Sequence, residues 1–178
     1  MSRPPLQYIL GLGSNLGERA DLLAEAIVRL EKLPGVRVLA ISEAVDSDPD
    51  GYAEQPNFLN LCLAIVCDKN PDELLAATLE IERQLGRERT ANRNGPRTLD
   101  IDLLFYEGGQ WDSPTVTLPH PRWSSRGFVI LPLRNLLQDP ALAKHPAWGS
   151  LAAEVRSLPI GDHGLRPWQG PTPWSKTP

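Results

Sequence analysis

Residues Phe58 to Gly86 read FLNLCLAIVCDKNPDELLAATLEIERQLG, and this stretch decides the fold because it holds a strand, a helix and both boundary signals of that helix. Phe58 to Val66 alternates in the two-residue rhythm of a β-strand. Asn70-Pro71-Asp72-Glu73 then supplies an Asn cap, a proline at the first helical position and a glutamate three residues after the cap. Leu74, Ile81 and Leu85 mark the buried face of the helix, and Gly86 suits the left-handed turn that ends it. Upstream, Tyr8 to Gly11 reads as a strand, and Leu23, Ile27 and Leu30 fall at helical spacing before Pro34-Gly35 stops the helix. Val36 to Val45 is β-branched and apolar, and a polar loop joins it to Phe58. Downstream, Leu99 to Tyr106 is a further strand.

The resulting order is β-α-β-β-α-β, which predicts an α+β fold with a ferredoxin-like core and an antiparallel sheet. Ser125 to Leu137 and Gly149 to Ser157 predict additional C-terminal helices. The chain has 178 residues and 41% hydrophobic content, enough for one domain with a single substantial core. We expect that domain to span residues 1–160 and to be followed by an irregular Pro/Trp-rich tail over 161–178. No apolar run reaches the ~20 residues needed to cross a bilayer, and the N-terminal stretch lacks a signal-peptide plan, so a cytoplasmic protein without a membrane partner is expected. Cys62 and Cys67 lie at odd spacing in one strand and so on opposite faces, which predicts reduced core thiols. The net charge of −4 argues against general nucleic-acid binding and makes any arginine cluster need a local explanation.

Such a cluster exists. Arg83, Arg87, Arg89, Arg93 and Arg97 run from the end of the helix through the following loop, and the guanidinium fork matches phosphate oxygens. They lead into Arg97-Thr98-Leu99-Asp100-Ile101-Asp102-Leu103-Leu104-Phe105. A strand there puts Asp100 and Asp102 on one face, roughly 7 Å apart, with Ile101, Leu103 and Phe105 on the other. Two carboxylates so placed repel unless a cation lies between them, and hard oxygen donors suit magnesium. Arginines beside magnesium-binding acids point to phosphoryl or pyrophosphoryl transfer.

Three further features are suggestive. Phe58 and Asn60 share a strand face and could read a flat heterocycle, with Phe128 as a partner ring. His120 stands between two prolines, near Arg126. Gly11 to Gly17, GLGSNLG, lies between strand and helix but matches neither the dinucleotide fingerprint nor a P-loop, and reads as a plain turn.

Taken in order, GLGSNLG, QPNFLNLCLAI, GRERTANRNGPRTLDIDLLFY and LPHPRWSSRGFVILPL resemble the 6-hydroxymethyl-7,8-dihydropterin pyrophosphokinase family over about residues 8 to 137. The resemblance implies transfer of the β,γ-pyrophosphate of ATP to the pterin alcohol, with two Mg2+ ions and ATP as co-substrate. It further implies that Asp100 and Asp102 hold both metals. Arg87 and Arg97 would contact the phosphates and assist the transition state, with Arg89 and Arg126 in support. Glu82, Leu103, Thr117 and His120 would line the nucleotide site. Phe58 and Phe128 would sandwich the pterin, Asn60 would bond its edge, and Ser47 and Asp48 would complete the pocket, with Gly13-Ser14-Asn15 near its floor. The family's usual tryptophan, glutamine and arginine are replaced by Asn94, Leu79 and Thr115, and the loop Asp46 to Gly51 carries two added acids. The partners expected are small molecules, with the chain acting as a monomer. The competing readings are a divergent paralogue with weak turnover and an RNA-binding ferredoxin-like module; the latter lacks an RNP-type string.

Overall fold

The computed structural model describes residues 3–51, 53–87 and 96–176. Arg89, Arg93 and Asn94 lie outside the described residues. The core elements are β1 (Leu6–Ser14), α1 (Arg19–Glu31), β2 (Val36–Ile41), β3 (Val45–Ser47), β4 (Phe58–Cys67), α2 (Pro71–Gln84) and β5 (Asp100–Tyr106). The Val36 to Val45 strand expected from sequence is divided. Ser42 to Ala44 leave the ladder, and the Ser42 hydroxyl accepts the Cys62 N–H at 2.8 Å instead. Both pieces pair with β4, so the sheet runs β5-β1-β4 and then β2 and β3 in succession, every pairing antiparallel. This is the expected α+β arrangement.

The capping signals act as read. The Asn70 side chain accepts the Glu73 N–H at 2.9 Å, and Glu73 accepts the Asn70 N–H at 2.8 Å. A cap of this kind is worth about 1 kcal/mol. Leu74 and Ile81 of α2 join Leu23, Ile27 and Leu30 of α1 in a core against Leu59, Leu61, Leu63 and Ile65 of β4. Burying each such aliphatic side chain contributes roughly 1.5–3 kcal/mol.

The other sheet face is covered as well. There α3 (Gly127–Leu136), α4 (Pro140–Ala143) and α5 (Gly149–Ser157) pack Ile130, Leu133, Leu142 and Val155 over Ile9, Cys62 and Ala64. Cys62 and Cys67 therefore lie in different cores, both free and buried. Burial pushes each thiol up.

One sequence expectation is corrected. The β1–β5 register shifts between Ile9 and Leu10, so that Leu10 faces Leu103 while Ile9 faces Phe105. Leu104 is the extra residue of this bulge. Ile101 and Leu103 belong to the core under α1 and α2, but Phe105 joins Leu104 in the core under α3, because an inserted residue reverses the alternation beyond it. The acids precede the bulge and keep their phase.

Two two-residue strands, β6 (Trp111–Asp112) and β7 (Thr117–Leu118), form a separate hairpin. Near the end of the chain, β8 (Arg166–Pro167) pairs with β3. Beyond it Trp174 is 6% exposed and belongs to the core under α1 and α2.

Candidate active site

β5 and β1 build the acidic half of the site. Asp102 lies opposite Gly11 and Asp100 opposite Gly13, and directly opposed residues of an antiparallel pair share a face. The two glycines leave a hollow beside the carboxylates. A Cβ at Gly13 would lie 3.0 Å from Asn60 Oδ1 and 3.8 Å from Phe58 Cδ1, so the absence of a side chain there keeps room next to both residues.

Arginines enter this hollow from two directions. The Arg87 guanidinium donates to Asp100 Oδ1 at 2.7 Å and to Glu82 Oε2 at 2.5 Å. Arg97 lies 3.4 Å from Asp100 Oδ2, with its guanidinium 5.3 Å from the centre of the Phe58 ring. Arg126 lies 3.7 Å from Asp102 and 3.9 Å from Asp50, with its guanidinium 5.5 Å from the centre of the Phe128 ring. Each ring is thus covered by an arginine that also meets one aspartate of the β5 pair. Arg83 points elsewhere: it is exposed and paired with Glu80 at 2.6 Å.

Phe58, Asn60, Ser47, Asp48, Phe128, Arg97, Arg126, Asp100 and Asp102 all border one cavity. Asn60 Nδ2 donates to the Ser47 hydroxyl at 2.9 Å, tying β4 to β3 at the cavity wall. Asn15, the residue after β1, accepts the Arg97 N–H at 2.9 Å and donates to Gln55 and Pro56, which ties Arg97 to the end of β1. A second groove is bordered by Leu103, Thr117, His120 and again Asp102. Asp102 therefore stands between the two hollows. Glu82 is 3% exposed and sits behind β5, accepting from the Ile101 N–H at 2.7 Å and from Arg87. Its reach into the site passes through Arg87.

Charge states follow from these surroundings. Although 33% of the Asp102 side chain remains open to the cavity, its carboxyl is set deep enough that burial, followed by the nearby Asp100 charge, pushes it up to about 7. Burial likewise raises Glu82 to about 7, against the pull of the Ile101 N–H and Arg87. His120 is held down to about 4 by burial and then by Arg126 and Arg122, and is neutral at pH 7. Its Nδ1 accepts the Arg122 N–H at 3.1 Å, as an unprotonated nitrogen can.

The donor set fits magnesium. The Asp102 carboxylate, disfavoured by burial and by the neighbouring Asp100 charge, would be relieved by a divalent cation beside it. Magnesium held by only one or two carboxylates keeps water and phosphate oxygens in its shell, and a pair of aspartates on one strand face suits that mode of binding.

Sequence reading passed over Arg19, His163, Arg166 and Trp168. Arg19 meets Asp46 at 2.9 Å, Arg166 meets Asp46 and Asp48 at 2.9 and 3.1 Å, and the His163 ring meets Phe128 edge-on with centroids 5.9 Å apart. Trp168 lies under the Arg19 guanidinium. Only the three unmatched acids Asp46, Asp48 and Asp50 hinted that basic partners must arrive from elsewhere.

The profile of the family described as 7,8-dihydro-6-hydroxymethylpterin-pyrophosphokinase (HPPK) matches residues 9–138. The chain is similar to the 2-amino-4-hydroxy-6-hydroxymethyldihydropteridine pyrophosphokinase of Bacillus subtilis, with 35% identity over 160 residues covering 90% of this chain and 89% of the other. To the enzyme of the same name from Methylorubrum extorquens it is 44% identical over 130 residues, 73% of this chain and 82% of the other. Among solved structures, the fold is similar to that of Plasmodium falciparum HPPK-DHPS crystallised with pterin and p-hydroxybenzoate, with a TM-score of 0.59, 13% identity and 85% of this chain covered. The matched part spans 43% of that solved chain. From its sequence matches, the chain belongs to the 7,8-dihydro-6-hydroxymethylpterin-pyrophosphokinase family.

Proposed function

We propose that this protein transfers the β,γ-pyrophosphoryl group of ATP to the hydroxymethyl oxygen of 6-hydroxymethyl-7,8-dihydropterin, a step of folate biosynthesis. The new bond joins that oxygen, whose hydroxyl proton passes to solvent, to the β-phosphorus, the bond between the β-phosphorus and the α,β-bridging oxygen breaks, and AMP leaves. The observation that carries this reading is Asp102, which borders both a ring-lined cavity and a separate groove. A two-substrate transfer needs its acceptor and donor to meet at one charged point.

In this reading Phe58 and Phe128 hold the flat pterin, while Asn60, oriented by Ser47, bonds its edge and the Asp48 segment closes the pocket. Leu103, Thr117 and His120 line the nucleotide groove, with His120 neutral. Asp100 and Asp102 would hold two Mg2+ ions, which would neutralise the polyphosphate and polarise the group transferred. Arg87 is kept cationic and aimed by Asp100 and Glu82, and Arg97 extends from the Phe58 ring to Asp100, so both can follow charge moving from ATP toward the acceptor. Arg126 does the same beside Phe128, and Arg89 is assigned to support them. We further propose that residues 1–160 carry the catalytic apparatus and 161–178 support it, and that the protein works as a cytoplasmic monomer without nucleic-acid or membrane partners. No helix among the described residues is long and apolar enough to cross a membrane.

The test is direct. Incubation with Mg-ATP and the hydroxymethyl dihydropterin is expected to yield AMP and the pterin diphosphate in equal amounts. Stoichiometric ADP would overturn the reading.

A further inference from the structure

The last segment of the chain touches both walls of the ring-lined cavity. On one wall, the Asp48 N–H donates to the His163 carbonyl at 2.9 Å, and β8 pairs Val45 with Pro167 and Asp46 with Arg166. The Arg166 guanidinium bridges Asp46 and Asp48 at 2.9 and 3.1 Å, flanking Ser47, whose hydroxyl holds Asn60. On the other wall, the His163 ring stands at 85° to Phe128. Its backbone neighbourhood fits equally closely, since a Cβ on Gly127 would come within 2.1 Å of the Ile160 carbonyl.

The segment is fixed at its far end too. The Trp168 N–H donates to the Ala44 carbonyl at 3.2 Å, and Trp174 is buried in the core beside α1. Between these anchors, Gly164 adopts a φ of +57°, and a Cβ there would lie 2.1 Å from an Asp48 carboxylate oxygen. The backbone conformation selects glycine at that position, and a side chain there would push the Asp48 carboxylate aside.

We propose that residues 160–168 form a strap that positions the Asp46–Asp50 wall and Phe128 for the pterin, with Arg166 as its positioning residue. An isolated exposed ion pair contributes little. Here one guanidinium meets two carboxylates on either side of a buried serine, within a backbone pairing that limits the freedom it must give up. Its charge also matters. Asp46 and Asp48 would repel each other across Ser47, and Arg166 holds both, with Arg19 also meeting Asp46, while Arg126 faces Asp50 at the cavity. The strap therefore acts on pterin binding and leaves the nucleotide groove on the far side of Asp102 alone.

The strap rests on the function proposed above, and kinetics on the full-length chain separate the two. Arg166→Ala is expected to raise the pterin KM about fivefold, with kcat and the ATP KM unchanged within twofold. Arg166→Lys keeps the charge and should recover part of the loss, and Gly164→Ala should reproduce it. A pterin KM equal to wild type in both Arg166→Ala and Gly164→Ala overturns the strap. So does a proportional loss in kcat and both KM values that tracks a falling thermal midpoint, because that is a general loss of structure. A wild-type protein that releases no AMP with the pterin instead overturns the proposed reaction.

Discussion

The two halves of the candidate site are built in opposite ways. The acidic half comes from one strand and its adjoining loop: Asp100, Asp102 and Arg97 lie within six residues, and Arg87 reaches Asp100 from the end of the preceding helix. The ring half is gathered from β3, β4, the start of α3 and the end of the chain, so Phe58 and His163, both beside it, are more than a hundred residues apart. Charge at close range announces itself in sequence because carboxylates on one strand face cannot be indifferent to each other. Shape does not, because a ring in a pocket and a ring in a core have the same composition.

If the acidic half carries the chemistry, its loss should be the most damaging change. Asp102→Asn is nearly isosteric and is expected to lower turnover by about 10²–10³-fold or more, with the circular dichroism spectrum retained. Because burial disfavours the ionised Asp102 carboxyl, the variant should unfold at the same temperature or higher in the absence of metal and nucleotide. Wild-type turnover would remove Asp102 from the mechanism and break the contrast between the halves.

The ring half should show itself in affinity. Asn60→Ala removes the donor to Ser47 and, on the proposed function, an edge partner for the pterin, and is expected to raise the pterin KM about tenfold while leaving the ATP KM near wild type. An equal effect on both substrates would mean that the halves are not separable.

The smallest effect concerns His120, at the boundary of the second groove beside Asp102. Its folded-state value near 4 is below the unfolded value near 6.5, so the unfolded chain binds the extra proton first as pH falls. The stability this gives is present above about pH 6.5 and is lost progressively as pH falls toward 4. Thermal midpoints of His120→Asn should therefore decline less steeply than those of wild type between these limits. Parallel curves would show that the histidine is not held neutral.

Much of the fold was legible before any coordinates. The capping box at Asn70, the stop at Gly86 and the alternation of Phe58 to Val66 are local signals, and each acts locally in the folded chain. The β-bulge at Leu104 was not legible. Nothing in DIDLLFY distinguishes a regular strand from one that shifts phase where Leu104 packs against Gly11, so Phe105 was assigned to the wrong face. The break at Ser42 was hidden for a similar reason: the hydroxyl that replaces a ladder bond does so only because Cys62 is brought beside it.

By itself, then, the sequence determined the order of elements, the run of arginines leading into the paired acids of Asp100-Ile101-Asp102, and, through its motifs, the family. These depend on neighbours in the chain, whose spacing is set by strand and helix geometry. Only the tertiary structure decided that Asp102 stands between two cavities, that each ring is covered by an arginine reaching to an aspartate, and that Arg166 and His163 close on the Asp46 to Asp50 wall. Those arrangements join segments far apart in the chain, and their energies depend on distance and burial that exist only once the sheet has formed.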